Sequence, residues 1–110
     1  MNLKSTLLLF ILITFSHITI ADGDANANLV TIKDYSFNPQ EITIKRGQII
    51  RWENNEKIQY HSVWFEELGE EEADYFFPEE SFQRKFNSTG SFPYHCGPHP
   101  KMTGTVHVID

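Results

Sequence analysis

One stretch of the sequence constrains both the fold and the chemistry of this chain: Cys96-Gly97-Pro98-His99-Pro100-Lys101-Met102. It places a thiol, an imidazole and a thioether within one short loop, at the end of an apolar strand-like segment. Soft sulfur donors beside a histidine nitrogen favour copper over magnesium or calcium, and a weak thioether argues against an ordinary structural zinc site. The prolines on either side of His99 restrict the backbone, so the loop is expected to hold its donors in place before a metal binds.

Two upstream segments add to the signal of this loop: Phe37-Asn38-Pro39 and the run from Asn54-Asn55 to His61. Together with Tyr94-His95 before the loop, they resemble the plastocyanin family of cupredoxins, over residues 29–108. The Cys-x-x-His-x-x-Met spacing is similar to the short ligand loop of amicyanins, whereas plastocyanins usually have a longer His-to-Met spacing. The resemblance implies one type 1 copper ion per chain, with these ligands: His61, Cys96, His99 and Met102.

The resemblance also implies a fold and an activity. The fold is expected to be an all-β, Greek-key β-sandwich of about eight strands, with the copper ligands at one end. The expected activity is the transfer of single electrons between larger redox proteins by Cu(I)/Cu(II) cycling, and not an enzymatic reaction. The amicyanin-like spacing suggests a periplasmic oxidoreductase as electron donor and a c-type cytochrome as acceptor, but the loop identifies neither.

His61 is assigned by the resemblance and by elimination of the other histidines. His17 lies in the N-terminal apolar segment. His95 directly precedes Cys96 on a predicted strand, so alternation points its side chain to the opposite face, away from the metal. His107 alternates with two valines and is expected at the surface.

The residues on either side of His61 depart from the family pattern. The family commonly has Pro before this His and Asn after it, whereas this chain has Tyr60 and Ser62. In the family that Asn links the His segment to the Cys loop by hydrogen bonds, and Ser62 is expected to supply a shorter version of the link. The departure therefore bears on the geometry around the ligands and on the redox potential, and not on copper binding.

The pattern of short alternating segments predicts an antiparallel sandwich or barrel. Extended structure is expected over residues 29–33, 41–45, 48–53, 61–65, 81–86, 92–96 and 103–109. Pro93 removes one donor from a strand ladder, which predicts a bulge or an edge position. Arg84 is placed by alternation on the same face as Phe82 and Phe86, and the sequence offers no explanation for it.

The N-terminal residues have the features of a secretory signal peptide. Lys4 precedes an apolar run over residues 7–15, and Thr19-Ile20-Ala21 offers small residues for cleavage. The run is shorter than the roughly 20 apolar residues of a membrane-spanning helix, so an uncleaved anchor is the less favoured alternative. The predicted organisation is a cleaved signal peptide at residues 1–21, a linker at 22–28 and a copper-binding domain at 29–110. It predicts a periplasmic monomer without stable membrane association.

The chain carries 9 basic and 15 acidic residues, and this balance argues against a nucleic-acid partner. Eight of the acids fall within a segment of residues 66–80, here called the acidic segment: Glu66, Glu67, Glu70, Glu71, Glu72, Asp74, Glu79 and Glu80. Charged loops are generally just solvated. This one follows the His61 segment, where plastocyanins carry acidic docking residues, so we expect it to orient a basic partner. The aromatic residues at 75–77 and Pro78 are expected to pack partly against the domain.

Two other functions compete with electron transfer. A periplasmic copper carrier or copper-resistance protein often uses Met- and His-rich segments, but beyond Met1 this sequence has only Met102. A copper enzyme needs an open coordination position for its substrate, and a site with four protein ligands leaves none.

Overall fold

The computed structural model describes residues 28–110, so the predicted signal peptide and nearly all of the predicted linker lie outside the described residues. The described chain contains seven strands: β1 (Leu29–Lys33), β2 (Ser36–Asn38), β3 (Glu41–Lys45), β4 (Ile49–Asn54), β5 (Ser81–Lys85), β6 (Gly90–His95) and β7 (Thr103–Ile109). One short 3-10 helix, Glu66–Leu68, lies between β4 and β5. Within residues 28–110, no helix has the length and apolar character needed to cross a membrane.

The strands form two sheets, in the orders β2-β1-β4-β5 and β3-β7-β6. The β1–β4 and β3–β7 pairs are parallel, whereas the other neighbours are antiparallel. The purely antiparallel arrangement favoured by the sequence pattern is therefore wrong, because period-two alternation does not encode strand direction. The predicted all-β sandwich is confirmed, with seven strands where about eight were expected.

The segment 61–65 was predicted as extended structure and joins neither sheet as a strand. It makes only isolated bridges, His61 with Phe76 and Trp64 with His95. The second bridge exchanges two backbone hydrogen bonds, of 2.9 and 3.1 Å, with the end of β6. This short segment is therefore fixed beside the residue that precedes Cys96, and it carries His61 to the same end of the sandwich.

The core beneath this end is aromatic. Trp52 of β4 is fully buried, and its ring meets the Tyr94 ring of β6 edge-on at a centroid distance of 5.5 Å. The Trp52 Nε1–H group donates a 3.1 Å hydrogen bond to the Tyr94 hydroxyl, and burial raises the pKa of Tyr94 to about 12. This pair joins the two sheets within β6, two residues before Cys96.

The structure accounts for the two residues that were awkward in the sequence. The Arg84 guanidinium carbon lies 4.5 Å from the centroid of the Phe65 ring, and its two terminal nitrogens contact the Glu70 carboxylate at 2.5 and 2.7 Å. Arg84 thus covers apolar surface while its charge is matched by a bidentate carboxylate. Pro93 lies in β6, an edge strand of the three-stranded sheet, as predicted.

Candidate metal centre

Three of the four predicted donors meet at one end of the sandwich. The Cys96 Sγ atom lies 3.6 Å from Nδ1 of His61 and 3.5 Å from Nδ1 of His99. All three donor atoms lie within 4.8 Å of one another. His61 and Cys96 are fully buried, whereas His99 is partly exposed at the end of the domain. Two imidazoles and one thiol are thereby brought together, one imidazole from the segment 61–65 and the other two donors from the loop between β6 and β7.

Backbone hydrogen bonds close the loop that carries the other donors. The Cys96 N–H group donates to the Met102 carbonyl at 2.9 Å, and the Met102 N–H group donates to the His99 carbonyl at 2.9 Å. A third bond runs from the His99 N–H group to the Cys96 carbonyl at 3.2 Å. Met102, the fourth predicted donor, is buried within this closed loop. The loop thus keeps a thioether next to the cluster of two imidazoles and one thiol, and soft sulfur together with imidazole donors suits copper.

Ser62 links the His61 segment to the same loop, as the sequence suggested. Its hydroxyl oxygen accepts a 2.9 Å hydrogen bond from the Gly97 N–H group, and its own N–H group donates to Cys96 Sγ at 3.4 Å. Ser62 is fully buried, so water cannot replace either bond without local opening.

Comparisons with known proteins agree with this geometry. A family model described as a cupredoxin-like domain matches residues 5–108. The chain belongs to the cupredoxin family. It is 34% identical over 95 residues to amicyanin from Paracoccus versutus, covering 83% of this chain and 71% of that relative. It is also 34% identical over 83 residues to plastocyanin from Scenedesmus fuscus, covering 66% of this chain and 85% of that relative.

Solved structures give the same result. The crystal structure of amicyanin from Paracoccus versutus matches this cupredoxin with a TM-score of 0.70 at 33% identity, covering 76% of this chain and 82% of that one. Type 1 copper is the cofactor, because this cupredoxin brings together at one end of the sandwich the sulfur and imidazole donors that fit it. The protein is a blue copper electron carrier, like the amicyanins and plastocyanins that it resembles.

Glu56 is a residue of this cupredoxin's site that the sequence did not reveal. One carboxylate oxygen lies 3.3 Å from Nε2 of His61 and accepts a 2.8 Å hydrogen bond from the Tyr35 N–H group. Its side chain is only 9% exposed. The buried Asn54 side chain fixes the turn, since its oxygen accepts a 3.0 Å bond from the Glu56 N–H group. The only sequence signal was an acid five residues before a predicted ligand.

The buried donors are held in forms suited to a metal by their surroundings. Burial lowers the pKa of His61, against the opposing hydrogen bond and charge of Glu56, so the neutral imidazole is favoured. Burial raises the pKa of the Cys96 thiol, against hydrogen bonds from the Ser62 and His99 N–H groups. Because a thiolate is the ligand form, metal binding in this cupredoxin displaces a proton from Cys96.

Two of the three histidines excluded by the sequence lie among the described residues, away from the donor cluster. His95 points away from the donor cluster, with Nε2 3.1 Å from Glu66 and Nδ1 2.9 Å from the Cys96 carbonyl. His107 lies on the outer face of the three-stranded sheet between Glu41 and Ser91, each 2.8 Å away, and its side chain is 34% exposed. His17 lies outside the described residues.

Proposed function

We propose that this cupredoxin carries single electrons between larger redox proteins in the periplasm, with its copper held by four residues: His61, Cys96, His99 and Met102. The observation that carries the proposal is the approach of both imidazole Nδ1 atoms to Cys96 Sγ, at 3.6 and 3.5 Å. Bound copper supplies the one-electron chemistry of the Cu(I)/Cu(II) couple. Cys96 and the two histidines would be its strong donors, and Met102 its weak thioether donor.

The protein's part in electron transfer is to keep these donors in one arrangement. The loop is closed on itself through Cys96, His99 and Met102, and Ser62 ties it to the neighbouring segment. Glu56 holds the far side of the His61 ring. Donors that are fixed in this way need little rearrangement when the charge of the site changes, which favours rapid electron exchange.

The same arrangement disfavours the alternative of a copper carrier. A carrier must hand over its metal, and handover needs donors that an acceptor can reach. In this cupredoxin His61 and Cys96 are fully buried and Met102 is nearly so. Only His99 is partly exposed, which suits the passage of an electron better than the release of an ion.

We expect electrons to enter or leave at His99. An apolar surface surrounds it, formed by Tyr35, Pro100, Lys101 and Met102. The Tyr35 ring is 46% exposed and meets the His99 ring edge-on at 4.9 Å. A c-type cytochrome or a periplasmic oxidoreductase that covers this surface would bring its own cofactor close to the copper through a single imidazole.

Electron exchange is tested by mixing the reduced, copper-loaded protein with an oxidised c-type cytochrome in a stopped-flow instrument. Reduction of the cytochrome should be second order, and the cupredoxin should keep its copper throughout. A Pro100→Gln variant, which places a polar side chain on this apolar surface without changing the charge, should slow the reaction, whereas Ser88→Gln, an exposed change outside the ligand loop, should leave the rate close to that of the wild type. Transfer of copper to a competing chelator without electron exchange would contradict the proposal.

Export is tested by expressing the full chain in a Gram-negative host and fractionating the cells. The proposal predicts a periplasmic protein whose mass corresponds to a first residue of Asp22, after cleavage at Ala21. A full-length protein retained in the cytoplasm would contradict the proposed location and leave the copper assignment standing.

A further inference from the structure

One carboxylate of the acidic segment lies directly against the ligand loop. A Cβ atom built on Gly97 would overlap Oε1 of Glu72, so this carboxylate occupies the space that any side chain at position 97 would need. Gly97 follows Cys96 in the chain, and its N–H group is held by the Ser62 hydroxyl. Glu72 therefore packs on the backbone between the two donors of the loop, Cys96 and His99.

The negative charge of Glu72 acts on its surroundings. Burial raises the pKa of the Cys96 thiol, and the charge of Glu72 acts in the same direction. The pKa of Tyr75 is likewise raised by desolvation and then by Glu72. Both directions agree with the position of the Glu72 carboxylate against Gly97, the residue that follows Cys96.

Glu72 lacks a matching cation, unlike two other acids of the acidic segment. Glu70 is paired with Arg84, and Glu66 contacts His95. Between residues 28 and 110, Glu72 forms no ion pair with any Lys, Arg or His side chain. Glu71 also forms no ion pair within residues 28–110, but the atoms nearest to a Cβ built on Gly97 belong to Glu72 and Ser62, and not to Glu71. Glu72 thus combines an unmatched charge with proximity to the donors.

We infer that Glu72 lowers the reduction potential of the site by placing an uncompensated negative charge against the Cys96–His99 loop. A negative charge stabilises the oxidised form, which carries one more positive charge than the reduced form. The carboxylate is exposed, so solvent screens part of its effect. The inference rests on the proposed copper function and assigns Glu72 a positioned charge, distinct from a metal ligand and from a docking residue.

The test compares Glu72→Gln with Glu71→Gln, which removes the same charge one residue away, and with Glu72→Asp, which keeps the charge. The reduction potential is measured by equilibrium titration of the copper-loaded proteins against a redox dye of known potential. Glu72→Gln should shift the equilibrium toward the reduced protein by roughly two- to fivefold, as for the loss of one solvent-screened charge interaction. The shift should shrink as salt is added.

Glu71→Gln should shift the equilibrium less than Glu72→Gln, and Glu72→Asp should retain most of the wild-type value. Equal shifts in Glu71→Gln and Glu72→Gln would overturn the inference in favour of a general field of the acidic segment. A Glu72→Asp variant that behaves like Glu72→Gln would overturn it in favour of packing. Urea unfolding of the metal-free proteins checks that the fold is unchanged. A wild-type protein without a reversible one-electron couple would instead refute the proposed function.

Discussion

The Glu56 carboxylate lies 3.3 Å from Nε2 of His61, the ring nitrogen opposite the one that faces Cys96. A carboxylate in this position fixes the tautomer and the orientation of a metal-binding imidazole, and it makes the ring a better donor. Because Glu56 also accepts the Tyr35 N–H group, the interaction joins the His61 ring to the turn between β1 and β2.

Replacing Glu56 with Leu should weaken copper binding by about 10–100-fold, because the carboxylate that orients His61 is lost. Glu56→Gln should lose much less, since the amide oxygen still accepts a hydrogen bond from the neutral ring. Competition with a chromophoric copper chelator measures both affinities. The exposed Glu67→Leu serves as a control for the removal of a glutamate. If Glu56→Leu binds copper as tightly as the wild type, Glu56 does not contribute to copper binding.

Replacing Ser62 with Ala should lower the free energy of unfolding of the metal-free protein by about 1 kcal/mol, because the Gly97 N–H group loses its partner. Urea denaturation at neutral pH measures the change. Ser88→Ala, at an exposed position, should change stability by no more than a few tenths of a kcal/mol. Equal stability of the two variants would show that the Ser62 link contributes nothing net.

The Arg84–Glu70 pair should make stability depend on pH in the acid range. The hydrogen bond from Arg84 lowers the pKa of Glu70 below its usual value. A lowered folded-state pKa contributes stability that is fully present above the unfolded-state pKa, about 4.3, and that is lost as the pH falls through the folded-state pKa.

Wild type should therefore be more stable than Glu70→Gln at pH 7, and the difference should shrink as the pH falls below about 4.3. The Glu70 side chain is 40% exposed, so solvent limits the difference to about 0.2–1 kcal/mol. Urea denaturation between pH 7 and pH 3.5 measures it, with Glu71→Gln as the control. A difference that stays constant or widens in acid would contradict the assignment.

The acidic segment should guide a basic partner through those acids that make no ion pair or side-chain hydrogen bond with other residues of 28–110. Glu66, Glu70 and Glu80 make contacts within the protein, with His95, Arg84 and the Phe77 N–H group. The segment is only partly packed down, since Phe76 is buried whereas Tyr75 and Phe77 are about half exposed.

A triple variant, Glu67→Gln, Glu71→Gln and Asp74→Asn, removes charge at exposed positions. It should slow second-order electron transfer to a basic partner at low ionic strength and flatten the salt dependence, because complementary charge raises association rates. The visible spectrum and copper content should stay the same. If the stopped-flow rates at low salt match those of the wild type, these acids are only solvated and do not guide a partner.

The loop was predictable because its donors are close in sequence. Cys96, His99 and Met102 lie within one loop, so their spacing alone indicates a metal site. The place of Ser62 followed from its position beside His61. Alternation correctly turned His95 away from the cluster, and the missing N–H group of Pro93 correctly indicated a bulge or an edge position, which the structure shows to be an edge strand. These features depend on local geometry, which sequence patterns describe well.

Long-range features were not predictable in the same way. The parallel β1–β4 and β3–β7 pairs depend on how distant segments cross between sheets. The Arg84–Glu70 pair depends on where an irregular loop folds back, and the contact of Glu72 with Gly97 depends on the same loop. The sequence around Glu56 does not predict its contact with His61, because a glutamate beside a turn is ordinarily solvated.

The visible absorption spectrum of the copper-loaded protein, compared with that of Cys96→Ser, tests the central claim most directly. The wild type should show an intense thiolate-to-Cu(II) charge-transfer band, proportional to bound copper up to one ion per chain. Cys96→Ser should lack the band, because a hydroxyl is a poor donor for this soft site. Urea unfolding of its metal-free form checks that the fold is retained. A wild-type protein that binds copper without the band, or a folded Cys96→Ser variant that keeps it, would contradict the account.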